Sequence, residues 1–315
     1  MAERDIREIN RLCTEELTAC IQEAEERYHG AIWELADRLI ADGQRRVVLL
    51  AGPSSSGKTT TANMLADRLT ALGHNSVVVS LDHFYRDSRD PAYPRLPDGS
   101  RDLECVDALQ VEAIHRCIER LVSGESCSIP RYDFQEGKST PDAFTLAVPV
   151  GGFAVIEGLH ALNPRLIEGL PREGLFKLFV SVSTNLNDDG QRILSGRKLR
   201  FIRRLTRDHL YRGATARRTL SMWRHVIEGE DKYLYPFKAT ADRALDTFHT
   251  FELGVMRPFT LAALDADPCE ELNCDFIRTV RGALEAAAVV PLSAVPENSL
   301  IREFVPGGIY EELYR

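Results

Sequence analysis

A continuous apolar run, Arg46-Val-Val-Leu-Leu-Ala51, leads directly into the stretch Gly52-Pro-Ser-Ser-Ser-Gly57-Lys58-Thr59. A run of this kind is typical of a strand that is buried on both faces of a parallel sheet. The stretch after it has the spacing of a phosphate-binding loop, and helical signals follow from Thr59 to Leu72. Strand, loop and helix in this order predict an α/β protein of the P-loop NTPase fold, with a site for nucleotide phosphates.

Each defined position of this loop has a chemical reason. Gly52 and Gly57 permit backbone angles and close approaches that a Cβ would block, so that successive N–H groups can point at phosphate oxygens. Lys58 is expected to reach the β and γ phosphates of ATP, and the hydroxyl of Thr59 is expected to ligate Mg²⁺. The other nucleotide contacts predicted here are Ser54, Ser55, Ser56 and Thr60.

Further strands are predicted at Ser76–Leu81, Phe153–Ile156 and Phe176–Val182. Because strands alternate with helical segments, we expect a doubly wound, mainly parallel sheet. Residues 46–260 are assigned to this P-loop domain. Residues 1–45 are assigned to an N-terminal helical extension, and residues 261–315 to a C-terminal helix with an irregular tail.

The two ends of the chain carry helical patterns. Residues 5–42 have apolar residues at spacings of three and four, with Gly30 as a possible break. The pattern after Phe251 is helical to about Ala288, and the prolines and glycines beyond it predict the irregular tail.

A long insertion, about residues 84–150, separates the second strand from the third. Its first part, residues 86–104, is rich in Pro, Asp, Arg and Gly and predicts an ordered functional loop or a mobile lid. A helix is predicted at Val111–Val122. Two strands at Ile129–Phe134 and Ala143–Val148 predict a β-hairpin beside the main sheet.

The composition limits the class of protein. The 315 residues are 44% hydrophobic and 27% charged, with a net charge of −8, which is ordinary for a globular protein and argues against a general nucleic-acid binder. No uncharged apolar run of about 18 residues is present, so no membrane span is expected. The N-terminus lacks a signal-peptide core, and seven cysteines without a paired spacing fit reduced thiols, so a cytoplasmic protein is expected.

Two acids stand at the ends of predicted strands. Asp82 directly follows Leu81, and Glu157 directly follows Ile156. Since the carboxyl ends of parallel strands share one edge of the sheet, both acids are expected to face the phosphates. Asp82 could take a proton from an acceptor hydroxyl, and Glu157 could hold Mg²⁺. The alternatives are a helix N-cap for Asp82 and a solvent-exposed strand end for Glu157.

An arginine-rich segment, about residues 192–224, contains ten arginines and one lysine against a single acid, Asp208. Four of the arginines share one helix face by their spacing: Arg200, Arg203, Arg204 and Arg207. Four unpaired guanidinium groups would repel one another unless anions lay among them, so we predict a lid that clamps phosphates. Arg212 would extend this surface, and the alternative is a solvated basic face.

Taken together, these motifs resemble the uridine kinase and phosphoribulokinase superfamily, and most closely its bacterial uridine kinase-like branch. The resemblance covers roughly residues 45–260. The loop Gly52–Thr59 is similar to the family's ATP site, and Asp82-His-Phe-Tyr85 is similar to its Asp-x-Phe-Tyr motif, which implies that Asp82 is the catalytic base.

The hairpin motif Pro130-Arg-Tyr-Asp-Phe134 resembles the nucleoside side of the family's site. The resemblance implies that Tyr132 and Phe134, together with Tyr85, contact the acceptor. From the residues alone, Tyr132 and Phe134 could stack on a base or a sugar, but two alternating aromatics on a strand more often serve packing.

The stretch Arg200–Asp208, followed by Tyr211-Arg-Gly213, looks like the family's lid helix. This implies that Arg204 faces the acceptor, while Arg207 and Arg212 face the phosphates of ATP.

The departures from the family pattern lie on the acceptor side. Glu104 is the candidate for the sugar-hydroxyl contact, in place of an aspartate of the family. The hairpin histidine that reads a pyrimidine falls at Gly137, and two polar positions after the lid are Ala214 and Met222. The phosphate-handling groups are therefore retained, while the groups that read a base are lost.

The leading hypothesis is an ATP- and Mg²⁺-dependent kinase of a small molecule, with a nucleoside 5′-hydroxyl as acceptor. Its catalytic residues would be Lys58, Asp82, Arg204 and Arg207. A second hypothesis changes the acceptor to a sugar, a sugar phosphate or another alcohol. A third, of another class, is a non-catalytic nucleotide sensor or scaffold, against which intact Lys58 and Asp82 argue. Neither a nucleic-acid nor a membrane partner is expected, and the N-terminal helix could dock on a second copy in a homo-oligomer.

Overall fold

The computed structural model describes residues 2–134, 136–148, 150–268, 270–272 and 274–313. Its strands are β1 Glu3–Asp5, β2 Val47–Ala51, β3 Ser76–Ser80, β4 Cys127–Asp133, β5 Lys138–Leu146, β6 Phe153–Glu157, β7 Leu175–Ser181, β8 Asn185–Asp188, β9 Gln191–Leu194 and β10 Arg243–Asp246. Its α-helices are α1 Ile6–Glu15, α2 Leu17–Asp42, α3 Lys58–Ala71, α4 Val111–Val122, α5 Pro164–Ile167, α6 Gly196–Tyr211, α7 Ala216–Tyr233, α8 Glu252–Asp265 and α9 Asp275–Ala286.

The central sheet is parallel throughout and has the strand order β10-β7-β2-β6-β3 among the described residues. Strand β2 lies in the middle, since Val47 pairs with Ala154 of β6 and with Leu175 of β7. The carboxyl ends of β2, β3 and β6 therefore lie at one edge of the sheet, where ligands bind in open α/β folds. The predicted P-loop sheet is confirmed.

Both faces of the sheet are covered. Along β2, Val48 and Leu50 belong to a core shared with α2, α3, α6 and α8. The alternate residues, Val47 and Leu49, belong to a second core shared with α4 and the hairpin. Successive side chains of a strand point to opposite faces, so the continuous apolar run in the sequence reflects burial on both sides and the doubly wound arrangement is confirmed.

Side-chain caps fix the starts of several helices that border the site. Ser195 accepts a hydrogen bond from Lys198 N at the start of α6. Thr215 accepts one from Arg218 N at the start of α7. Each cap satisfies an N–H group that has no partner within its own helix.

The insertion contains α4 and an antiparallel hairpin, β4 with β5. The second strand begins at Lys138, earlier than the predicted Ala143. Its first residues are polar and mostly exposed, so they show no apolar alternation from which a strand could be inferred.

The N-terminal helical pattern breaks at Glu16 and not at Gly30. Glu16 has φ −133° and ψ 33°, outside the helical region, whereas Gly30 lies within α2 with open space around its Cα. A glycine costs a helix only about 1 kcal/mol, and the buried stripe of α2 offsets this. Strand β1 was not predicted from the sequence; it pairs with β8 in a small separate sheet.

The C-terminal pattern forms two helices, α8 and α9, instead of one. The tail beyond α9 has only short 3₁₀ turns within its described part, but it is packed: Leu300, Ile301, Phe304 and Val305 are fully buried. Among the described helices, none combines the length and the apolar character needed to cross a membrane.

Candidate active site

The phosphate-binding loop, residues 52–59, connects β2 to α3. Gly57 has φ +86°, in the left-handed region that favours glycine. Gly52 lies so close to β7 that a Cβ there would be 2.3 Å from the Val180 carbonyl oxygen. Ser55 also has a positive φ of 57°. The structure therefore requires glycine at both positions for which the sequence predicted it.

A buried ion pair holds the first half of the loop. Arg200 donates two hydrogen bonds of 2.7 Å to the Glu230 carboxylate, and the two side chains are 1% and 0% exposed. Glu230 also accepts from Ser54 N at 2.9 Å, while Arg200 donates to Ser54 O at 2.8 Å. Both backbone groups of Ser54 are thus fixed from behind the loop.

A second buried pair holds the other half. Arg203 donates to Glu252 at 2.5 Å and to the carbonyl oxygen of Thr247 at 2.7 Å. The Thr247 hydroxyl in turn donates to Ser56 O at 2.8 Å. The carbonyl oxygens of Ser54 and Ser56 are therefore held from this side, and Ser56 N donates to Pro53 O at 3.3 Å within the loop.

The predicted set of four unpaired guanidinium groups is therefore wrong for Arg200 and Arg203. Both face the interior of the protein and have carboxylate partners on α7 and α8. They support the phosphate-binding loop instead of contacting its ligand. A solvated basic face is excluded as well, because α6 is largely buried.

Arg204 and Arg207 border the loop itself. Arg204, 8% exposed, donates to the Ser54 hydroxyl at 2.8 Å and lies 3.3 Å from Asp208. Arg207 is 3.5 Å from Glu303, and burial lowers the pKa of its guanidinium. Arg212, 49% exposed, also pairs with Asp208 at 3.3 Å. Asp208 thus lies within 4.0 Å of Arg204, Arg207 and Arg212, the three arginines that were predicted to face the phosphates and the acceptor.

Several buried polar atoms around the loop make no hydrogen bond to any residue that the structure describes: Ser55 Oγ, Ser56 Oγ and Arg207 Nε. Leaving such groups unsatisfied is costly. A ligand with several negatively charged oxygens would satisfy them, so the residues present fit the phosphates of a nucleotide.

Asp82 lies in the 3₁₀ turn after β3 and is exposed. The cap of this turn is Ser80, whose hydroxyl accepts from Asp82 N at 3.3 Å. The side chain of Asp82 is therefore not the N-cap, so the alternative role predicted for it is wrong. Asp82 follows the end of β3, where Ser80 pairs with Glu157 of β6, so it lies at the same edge of the sheet as the loop, and its negative charge raises the pKa of Glu157.

Glu157 ends β6 and is only 4% exposed, so the solvent-exposed alternative is wrong. The Thr59 hydroxyl lies 3.4 Å from its carboxylate. Burial, followed by the charge of Asp82, raises the pKa of Glu157 to about 7, and Lys58 opposes this rise. No group of three or more His, Cys, Asp or Glu side chains within the described ranges could hold a metal. Thr59 and Glu157 therefore fit Mg²⁺ only if phosphate oxygens and water complete its coordination, which is how Mg²⁺ is commonly held.

The predicted acceptor residues form an aromatic cluster. The ring of Tyr85 lies 5.4 Å from Tyr132 and 5.5 Å from Phe134, and the latter two rings are 4.9 Å apart. Tyr132 is buried, but Phe134 is 60% exposed. An exposed aromatic beside buried ones leaves a free ring face for a ligand to stack on.

Glu104 is adjacent to this cluster, because the Tyr85 hydroxyl donates to the carbonyl oxygen of the preceding residue, Leu103, at 3.0 Å. Burial raises its pKa to about 7, while the charges of Arg204 and Lys58 lower it. Its stem packs against α7 where Gly229 has no side chain, since a Cβ there would be 2.3 Å from the Cβ of Glu104. The charge of Arg204 thus acts on Glu104, and the contact of Glu104 with an acceptor stays a prediction.

Gly137 lies in the hairpin turn with φ +65°, and a Cβ at this position would be 2.7 Å from the Ser88 hydroxyl and 3.3 Å from Arg101 Nη1. The space that a base-reading histidine would need is therefore occupied. The backbone conformation at Gly137 and the side chains of Ser88 and Arg101 therefore both favour glycine over the family's histidine.

The carboxylates that pair with the buried arginines were not predicted from the sequence. Glu230, Glu252 and Glu303 come from α7, α8 and the tail, and none belongs to a recognisable motif. One signal was available. Ten arginines against one acid in residues 192–224 must find counter-charges elsewhere if the helix is buried, because unpaired buried charges are very costly.

Comparison with known proteins identifies related chains. The chain is 27% identical over 197 residues to uridine kinase-like protein 5 of Arabidopsis thaliana, a match that covers 62% of this chain and 38% of that protein. It is 24% identical to a uridine kinase of Halobacterium salinarum, over 61% of this chain and 76% of that protein. A solved structure described as a possible uridine kinase from Bacillus stearothermophilus aligns over 70% of this chain and 100% of its own, with 20% identity and a TM-score of 0.46.

This chain spans less than half the length of the Arabidopsis relative, 38%. The family model for phosphoribulokinase and uridine kinase matches residues 47–253. That range contains the loop, the two acids at the strand ends, the hairpin and the arginine helix α6. The chain belongs to the phosphoribulokinase / uridine kinase family.

Proposed function

We propose that this chain is an ATP-dependent kinase that transfers the γ-phosphoryl group to the 5′-hydroxyl of a nucleoside. The observation that carries the proposal is the position of Asp82, in the turn directly after β3, whose last residue Ser80 pairs with Glu157 of β6 at the edge where the phosphate loop begins. A carboxylate beside the phosphates can accept the proton of an attacking hydroxyl. Family membership and the uridine kinases among the relatives support the same reaction class.

The proposed roles follow from the contacts. The loop amides and Lys58 hold the triphosphate, and Thr59 with Glu157 would hold Mg²⁺, which supplies neutralisation of phosphate charge when bound. Arg204 and Arg207 carry positive charge in a largely dry environment, where it acts more strongly on the moving phosphoryl group than it would in water.

The aromatic cluster of Tyr85, Tyr132 and Phe134 supports a nucleoside as the acceptor, since rings stack on bases and sugar faces. Glu104 would accept a hydrogen bond from a sugar hydroxyl. The interaction of its charge with Arg204 supports a sugar position beside the phosphates.

A second candidate acceptor is an alcohol that carries a negative charge, such as a sugar phosphate. Arg101 favours it, because its guanidinium lies beside the hairpin turn at Gly137, where a neutral base-reading side chain would otherwise project. Arg101 also lies 5.9 Å from the ring centre of Tyr93. Arg is suited to binding a phosphate or carboxylate through two hydrogen bonds.

A panel of acceptors separates these candidates. ADP release would be measured with nucleosides, sugars and sugar phosphates, for the wild type and for Arg101→Gln. A nucleoside kinase responds most to nucleosides in both proteins. Strong stimulation by a sugar phosphate that Arg101→Gln loses would transfer the assignment to the second candidate.

The Asp82→Asn variant tests the catalytic assignment. We expect turnover to fall by about 10²- to 10⁴-fold, which is typical of removing a general base, with ATP affinity retained. A variant that turns over as fast as the wild type would refute the role of Asp82. If no acceptor stimulated ATP consumption above its basal rate, a non-catalytic nucleotide sensor would replace the kinase.

A further inference from the structure

The C-terminal tail reaches the phosphate-binding loop, although it lies outside the family match at residues 47–253. Leu300 packs on the loop so closely that a Cβ at Gly57 would be 2.4 Å from Leu300 Cδ1. Three residues later, Glu303 accepts a hydrogen bond of 2.6 Å from the hydroxyl of Thr60. The same carboxylate lies 3.5 Å from Arg207 Nη1.

The tail is fixed in this position. The side chains of Leu300, Ile301, Phe304 and Val305 are fully buried. Ser299 caps the turn by accepting from Ile301 N at 3.2 Å. Detaching the segment would expose all of these apolar groups, so its backbone stays beside the loop while the side chain of Glu303 can change partners.

Glu303 occupies donors that a phosphate would use. Thr60 belongs to the first turn of α3, and the start of a helix after a phosphate-binding loop attracts anions. Arg207 is only loosely paired, because its Nε makes no hydrogen bond within the described part of the chain and its nearest acids are 3.5 Å and 4.0 Å away. The Glu303 carboxylate therefore lies where negative charge is favoured, beside an Arg207 guanidinium that it neutralises only in part.

We propose that Glu303 is a further residue of the nucleotide site, and that its carboxylate holds Thr60 and Arg207 in the free protein and competes with the nucleotide phosphates for them. Without a nucleotide, the buried Arg207 needs a counter-charge, which Glu303 supplies. With a nucleotide, the negative charges of Glu303 and the phosphates repel each other. Glu303 thus stabilises the free protein and weakens nucleotide binding.

This role has two opposite consequences in one variant. Glu303→Gln keeps the size of the side chain and an acceptor for Thr60, but it removes the charge. The free protein should therefore melt at a lower temperature, while ATP should bind more tightly. Removal of one like charge a few ångströms from the phosphates is expected to strengthen binding by roughly tenfold at a partly screened site.

The experiment is titration calorimetry of ATP and of ADP, each with Mg²⁺ and without any acceptor, together with thermal melting of the free protein. The matched control is Glu297→Gln, an exposed acid of the same tail, which should leave both quantities unchanged. Equal or weaker ATP binding by Glu303→Gln would overturn the proposal. A lower turnover with unchanged affinity would also overturn it, because Glu303 would then only position Arg207.

The proposal rests on nucleotide binding at the loop, as the proposed function does, but the two can fail separately. Tighter ATP binding by Glu303→Gln with no phosphoryl transfer to any acceptor would contradict the kinase and support the role of Glu303. Normal phosphoryl transfer with equal affinities would contradict the role of Glu303 alone. A wild-type protein that binds no ATP would overturn both.

Discussion

Replacing Glu230 with Gln should lower the melting temperature strongly and weaken ATP binding. In the wild type, one carboxylate oxygen accepts from Ser54 N and Arg200 Nη1, and the other accepts from Arg200 Nη2. A glutamine can place its carbonyl oxygen against Ser54, but its NH₂ group then meets an Arg200 donor. The buried guanidinium loses both its counter-charge and one acceptor.

The magnitude follows from burial. Arg200 and Glu230 are 1% and 0% exposed, and removing one partner of a buried pair costs about 3–5 kcal/mol because the other charge is left unpaired. For a chain of this size this corresponds to a melting temperature lower by roughly 5–8 °C. The neighbouring Glu228→Gln is the matched control. Glu228 and Arg224 are 57% and 84% exposed, and exposed pairs contribute only about 0–1 kcal/mol.

Thermal melting and ATP titration of both variants provide the assay. A double replacement, Arg200→Met with Glu230→Leu, should recover much of the lost stability, since apolar side chains often substitute well for a buried pair. It should not recover ATP affinity, because both backbone groups of Ser54 lose their partners. If Glu230→Gln melts within about 1.5 °C of Glu228→Gln, a shift that corresponds to at most ~1 kcal/mol, the pair does not hold the loop.

Two further outcomes follow from the acceptor side. Glu104 has a pKa raised to about 7 from its ordinary value of 4.5, so between these values the folded protein holds a proton that the unfolded chain has released, and stability is lost as pH rises through 7. The melting temperature should therefore fall more steeply from pH 5 to pH 8 for the wild type than for Glu104→Gln. Parallel falls in the two proteins would contradict the raised pKa. Gly137→His should destabilise the protein by about 1–3 kcal/mol, because a side chain is strained at positive φ and would clash with Ser88. The variant should not have a lower KM for uridine. A variant as stable as the wild type with a lower KM would show that the turn can accept the histidine.

The fold could be predicted largely from local patterns. The run at β2 is apolar on both faces because helices cover both, and the glycines of the loop are dictated by the φ of Gly57 and the approach of Val180 to Gly52. The strand ends then place Asp82 and Glu157, since parallel strands share an edge. Each of these inferences depends on residues that are close together in the chain.

The supports of the site could not be predicted in this way. Spacing placed Arg200, Arg203, Arg204 and Arg207 on one side of α6, but it could not reveal which of them point into the protein. The acids that decide this are distant in sequence: Glu303 meets Thr60 across 243 positions. Similarly, Gly30 suggested a helix break, but burial of α2 against the sheet overrides the local cost of a glycine.

The most direct test of phosphoryl transfer at this site is ³¹P NMR of the wild type and Asp82→Asn with ATP, Mg²⁺ and a nucleoside. In the wild type, the γ-phosphate resonance of ATP should decrease while the resonance of a nucleoside 5′-monophosphate grows. Asp82→Asn should bind ATP but produce both changes about 10²- to 10⁴-fold more slowly. Inorganic phosphate as the only product, formed at the same rate by both proteins and with or without the nucleoside, would contradict the proposed reaction.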